Sequence, residues 1–145
     1  MKRKIRAGYT FIELVFVILV VAILAAVALF RPGFDFTVKA KVRTAAQRLV
    51  SDLRLTRTLA VTNNENYKLV IDQNNNEYSI FDSGNTQSGA TRTVDSNITL
   101  TGDTEFIFQA LGNASSGSSA SLEAESNQYN IDVVSVTGMV NMQEQ

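Results

Sequence analysis

Residues 9–30 read YTFIELVFVILVVAILAAVALF. From Leu14 to Phe30 every residue is apolar, and across the whole stretch only Thr10 and Glu13 are polar. A helix of this length, rising ~1.5 Å per residue, extends about 33 Å, close to the ~30 Å hydrocarbon core of a bilayer. The stretch therefore reads as a helix that crosses a membrane, because only such an element satisfies its own backbone in lipid.

Working outward, the charges are sorted along the chain. The 145 residues carry 13 Lys+Arg against 14 Asp+Glu, a net charge of −1. Residues 1–8 hold Lys2, Arg3, Lys4 and Arg6 (+4), residues 9–30 hold only Glu13 (−1), residues 31–57 come to +5, and residues 61–145 come to −9. A basic head before an apolar span stays on the cytoplasmic side, so the acidic body after Phe30 is expected on the far side.

Three readings of the head compete. It is a plain single-pass anchor, or a secretory signal peptide cut near the small triplet Ala26-Val27-Ala28, or a segment in which Glu13 has work to do. A carboxylate in an apolar span costs on the order of 2.5–3.5 kcal/mol at mid-bilayer and less near an end, so it asks for a counter-charge or a route to the headgroups. Cleavage between Gly8 and Tyr9 would create an α-amino group able to neutralise Glu13 of a neighbouring chain.

Gly8-Tyr-Thr-Phe-Ile-Glu13-Leu14, after a short basic leader and before an uninterrupted apolar helix, resembles the leader and first helix of type IV prepilins and type II secretion pseudopilins. Tyr9 stands where phenylalanine is usual and Phe11 where leucine is common. The resemblance implies that a prepilin peptidase cuts after Gly8, that Tyr9 becomes the N-methylated first residue, and that Glu13 serves filament assembly. It also implies other pilins or pseudopilins, an inner-membrane assembly platform, membrane lipid and secreted cargo as partners. The chain would sit in the inner membrane with a cytoplasmic N-terminus and a periplasmic body, and later in a filament. The body further resembles the minor pseudopilins called GspH or FimT-like, through the helix end at Arg57–Asn64 and the strands at Ile131–Val140.

Arg31, Pro32 and Gly33 predict a bend, since proline removes a backbone donor and glycine is a poor helix former. Val38, Val42, Ala45, Leu49, Leu53 and Ala60 then form one apolar stripe at helical spacing, running to about Val61. Lys39, Lys41, Arg43, Arg48, Arg54 and Arg57 make the other face basic, to be solvated or to meet lipid phosphates, nucleic acid or acidic neighbours. Thr62, Asn63 and Asn64 end the pattern.

From Tyr67 the period changes to that of strands. Tyr67–Ile71 and Glu77–Phe81 flank Asp72–Asn76 as a hairpin. Further strands are expected at Thr91–Val94, Ile98–Thr101, Glu105–Ala110, Ser121–Glu125, Tyr129–Val136 and Met139–Met142, the last two pivoting at Thr137-Gly138. Asp82–Ala90 and the Ser/Gly-rich Gly112–Ser121 are expected to be mobile loops. The fold class is α+β: a long N-terminal helix, half membrane and half amphipathic, packed on a C-terminal antiparallel sheet in pilin-like fashion. The segments are 1–8 (leader), 9–30 (assembly helix), 31–62 (amphipathic half) and 63–145 (body).

The chain has no cysteine and no histidine, so thiolate nucleophiles, imidazole bases and the usual zinc ligands are excluded. Asp72, Asn74 and Asn76 share the first ligand spacings of a calcium loop, but its glycine and its twelfth-position glutamate are missing. Asn97-Ile-Thr99 and Asn113-Ala-Ser115 match glycosylation sequons, which mean little behind a prepilin head. No phosphate loop or serine elbow is present, no cofactor is expected, and an acidic body argues against nucleic acid. The function expected is that of a minor pseudopilin of a type II secretion system. The alternatives are a minor pilin of a type IV pilus used for adhesion, motility or DNA uptake, and an exported binding module with a simple anchor.

Overall fold

The structure, a computed structural model, describes residues 10–29 and 34–145. The leader Lys2, Arg3, Lys4 and Arg6, the Gly8–Tyr9 junction and the expected bend at Arg31–Gly33 lie outside the described residues. The chain divides into two compact units, residues 1–34 and 35–145.

The first unit holds α1 (Phe11–Leu29). Among the described residues no helix is long and apolar enough to cross a membrane. The backbone of α1 runs 19 residues, about 28 Å at ~1.5 Å per residue, and the ends of the span read from the sequence, Tyr9 and Phe30, fall outside the description.

The second unit holds all of α2 (Phe34–Asn63) but its first residue, and continues as β1 (Tyr67–Asp72), β2 (Glu77–Asp82), β3 (Arg92–Thr93), β4 (Thr99–Gly102), β5 (Glu105–Phe108), β6 (Ser118–Ala124), β7 (Asn127–Val134) and β8 (Met139–Glu144). The helix ends as its residues dictate. Asn64 adopts a left-handed conformation (φ 51°), Asn64 N–H bonds Val61 O at 3.3 Å, and Glu65 N–H bonds Ala60 O at 3.1 Å. Paired 5→2 and 6→1 bonds of this kind satisfy the last carbonyls, and asparagine tolerates the left-handed position better than most residues.

The body contains two four-stranded antiparallel sheets, where one was expected. Sheet A has the order β3-β2-β1-β5 and sheet B the order β4-β6-β7-β8. The chain leaves sheet A after β3, returns for β5 and leaves again, so strands adjacent in sequence lie in different sheets. In β1, Tyr67, Leu69 and Ile71 point inward, and in β7, Tyr129, Ile131 and Val133 do so. These join Val42, Ala46, Leu49, Val50, Leu53 and Ala60 of α2 in a single core.

Two further expectations are corrected. The Ser-rich stretch expected to be a loop supplies Ser118–Ser121 of β6, paired with β4 on one side and β7 on the other. Its alternation of serine outside with Ala120, Leu122 and Ala124 inside is a strand pattern made of small residues. The last hairpin turns through residues 135–138, with Val134 opposite Met139, so β7 stops two residues before Val136. Ser135 O is taken by Ala114 N–H (2.9 Å), and Gly138 N–H returns to Val134 O (2.7 Å).

Candidate assembly site

The first helix begins at Thr10. Glu13 N–H and Leu14 N–H bond Thr10 O at 3.0 and 3.2 Å, and Glu13 N–H lies 3.4 Å from Thr10 Oγ1. Thr10 is thus the N-cap and Glu13 the third helical residue, the spacing of a capping box. A carboxylate here is also favoured by the positive end of the helix dipole. The sequence carried this signal as Thr-x-x-Glu, which a search for a counter-charge overlooks. From Phe11 to Ala25 every described side chain of α1 is exposed, including Phe11, Ile12, Phe16, Ile18 and Leu24. These apolar side chains are left uncovered among the described residues, whereas the body buries most of its large apolar side chains in one core.

The basic face of α2 is mostly engaged by its own body. Lys39 pairs with Glu144 and Lys41 Nζ lies 3.5 Å from Asp95 Oδ2. Arg54 Nη2 donates to Val140 O at 3.4 Å and Arg57 Nε to Gly112 O at 2.7 Å. Lys39 holds the Glu144 carboxyl below its ordinary range, and Glu144 raises Lys39 in return. Asp95 is held down first by Asn97 N–H and then by the Lys41 charge. Arg43 and Arg48 remain exposed.

Beneath that face lies Asp52, the one buried acid among the described residues. It accepts from Tyr78 Oη at 2.8 Å, and Arg92 Nε stands 3.7 Å away. Burial, reinforced by Asp52, raises the Tyr78 hydroxyl well above its ordinary range. This pairing ties α2 to sheet A, while Lys39 and Arg54 tie it to sheet B. A groove of roughly 340 Å³ opens beside it, between Ala40, Thr44, Ala45 and Arg48 of the helix and Val94 and Ile98 of the β3–β4 connection.

The calcium-like turn is occupied by its own backbone. Asp72 Oδ1 accepts Asn74 N–H and Asn75 N–H, and Oδ2 accepts Asn75 Nδ2, which lowers the Asp72 carboxyl. Asn76 (φ 54°) is turned the other way. Its Nδ2 donates to Ile98 O at 2.6 Å and Asp95 O at 3.2 Å, and its Oδ1 accepts Leu100 N–H at 3.1 Å. It joins the β1–β2 turn to the strand that enters sheet B. Among the described residues no group of three acidic side chains could hold a metal ion.

Two sheets on one amphipathic helix, with a separate apolar helix ahead of them, is an arrangement that can be compared with known proteins. The family model described as type II transport protein GspH matches residues 45–138, from the middle of α2 to the last turn. The chain belongs to the GspH family. No curated protein sequence matches it. Among solved structures, the GspH-family chain is similar to the minor pseudopilin EpsH from the type 2 secretion system of Vibrio cholerae, with TM-score 0.61 and 11% identity over 71% of this chain and 96% of that one. It is also similar to the type IV minor pilin FimU of Pseudomonas aeruginosa, with TM-score 0.62 and 14% identity over 74% of this chain and 92% of that one. At such identities the likeness concerns the fold.

Proposed function

We propose that this GspH-family chain is a minor pseudopilin of a type II secretion system, a structural subunit of a short periplasmic filament that drives protein export. The carrying observation is α1, an apolar helix whose side chains are exposed from Phe11 to Ala25, with a single carboxylate in its first turn. In this reading the basic leader Lys2–Arg6 holds the N-terminus in the cytoplasm, the helix over 9–30 crosses the inner membrane, and the body lies in the periplasm. A prepilin peptidase cuts after Gly8 and methylates Tyr9. In the filament, α1 exchanges lipid for the helices of other subunits, and Glu13 neutralises the new amino group of a neighbour, so that both charges leave the lipid as a pair. Partners are then the peptidase, other pseudopilins, the assembly platform and, at a tip position, cargo. Nothing in this mechanism calls for catalysis by the chain.

The test is the mature N-terminus of the full chain from native membranes, by intact-mass and terminal-peptide spectrometry. A chain that begins at N-methylated Tyr9 is expected. One that begins at Leu29 or retains residues 1–8 refutes the reading. Glu13→Gln then isolates the charge, because glutamine also serves a capping box, and it is expected to lower secretion as strongly as Glu13→Ala. If Glu13→Gln alone secretes normally, Glu13 acts only as a cap. The FimU likeness favours a second reading, a minor pilin of a type IV pilus. A deletion strain separates them, since the first loses secreted proteins and the second loses surface pili.

A further inference from the structure

Among the described residues of unit 35–145, six large apolar side chains are exposed: Leu55, Val61, Leu111, Val134, Val136 and Met139. Five of them belong to three segments that meet at one end of the body: the last turns of α2, the loop after β5 and the turn end of the β7–β8 hairpin. The meeting is close. A Cβ placed on Gly138 would lie 2.1 Å from Gly112 O, and one on Gly112 would lie 3.0 Å from Val61 Cγ2. Both glycines have positive φ (62° and 85°), and Arg57 Nε holds Gly112 O at 2.7 Å. On this fixed junction Leu111 is 90% exposed, Val136 82% and Val61 51%. Isolated exposed aliphatics need no explanation, but a cluster of them does.

The charge around the cluster says what it would take. Residues 61–145 carry −9 overall, yet the side chains that flank the junction from α2 are Arg54 and Arg57, and neither has a carboxylate partner among the described residues. Each spends a donor on a backbone carbonyl and retains others. A guanidinium offers five donors in a plane suited to carboxylates, and arginine is among the residues enriched at binding hot spots. We infer that the Val61–Leu111–Val136 cluster with Arg54 and Arg57 is a docking surface for a segment of another protein that carries aliphatic side chains together with Asp or Glu. The surface lies wholly within the body and does not depend on how the head is processed.

The test places a photo-crosslinking residue at position 111, and separately at 136, in the full chain expressed in its native cells, and sequences the crosslinked peptide. The expected adduct is a peptide of another protein that carries both carboxylates and Leu, Ile, Val or Met. Arg54→Glu is expected to reduce that adduct by about tenfold, a change of ~1.4 kcal/mol. Leu111→Ser, at a position too exposed to disturb the core, is expected to reduce the adduct formed from position 136. Adducts only to a second copy or to lipid, a peptide without carboxylates, no adduct at all, or an adduct indifferent to Arg54→Glu would each overturn the inference. None of these results bears on whether the chain begins at Tyr9, so the two readings fail separately.

Discussion

Asn76 shows how much one polar side chain can hold. It sits in a left-handed position that asparagine accepts at little cost, and its amide meets backbone groups of Asp95, Ile98 and Leu100. Asn76→Ala removes the donor and the acceptor together, leaves partly buried backbone groups unpaired, and adds conformational strain. Each orphaned buried group costs roughly 1–3 kcal/mol, and the expected loss is about 2–4 kcal/mol, read from urea unfolding. Asn76→Gly, which keeps the backbone freedom and loses only the amide, is expected to cost nearly as much. If it is instead well tolerated, the hydrogen bonds contribute little and the left-handed turn alone required asparagine. Glu13 belongs to the same scale: an isolated charge in an apolar run is legible from composition, whereas its capping geometry with Thr10 depends on where the helix starts.

At the scale of elements, α2 decides the body. Leu53 is fully buried, and Leu53→Ala is expected to cost about 2–5 kcal/mol, whereas Ile18→Ala on the exposed α1 is expected to leave the unfolding midpoint of the body unchanged. The stripe read from helical spacing is buried at Val42, Leu49, Leu53 and Ala60, with Val38 and Ala45 partly buried against the same core. It was too narrow, because Ala46, Val50, Asp52 and Thr56 are also buried. The reason is physical: one sheet covers one stripe of a helix, but two sheets cover a broader arc. That arc takes in Thr56, which satisfies its hydroxyl on Asp52 O at 2.7 Å, and Asp52, which satisfies its carboxylate on Tyr78. Periodicity of apolar residues reports burial only where burial is apolar, so these two polar positions were invisible to it. Strand β6 was partly missed for the same reason, since serine and alanine carry little hydrophobic contrast. The hairpin at Asp72–Asn76 was legible from its turn residues, and the basic face from its charges, but not the use to which the body puts Lys39, Lys41, Arg54 and Arg57.

For the molecule as a whole, the charged contacts predict how stability follows pH. Glu144, Asp95 and Asp72 are all held below their ordinary values of 4.5 and 3.8. On acidification the unfolded chain takes up these protons first, so this stability is present above about pH 4.5 and declines as pH falls through the lowered values. Tyr78 and Lys39 are raised above 10.0 and 10.5, so their contribution is present below those values and is lost as pH rises beyond them. Urea midpoints are expected to be flat between the two ranges and to fall on both sides. Lys39→Met is expected to soften the acid decline, and a midpoint that rises on acidification would contradict the assignment.

The Lys39–Glu144 pair also has a kinetic meaning. It joins the opening turns of α2 to the last residue of β8, and the chain between them passes from sheet to sheet three times. Contacts so distant in sequence make slow folding, because long loops must close before they are rewarded. A chain delivered from its N-terminus would present α2 early and wait, with its apolar arc uncovered, until the final strand arrived to shut the structure. Folding of the body would then finish only once β8 had been delivered.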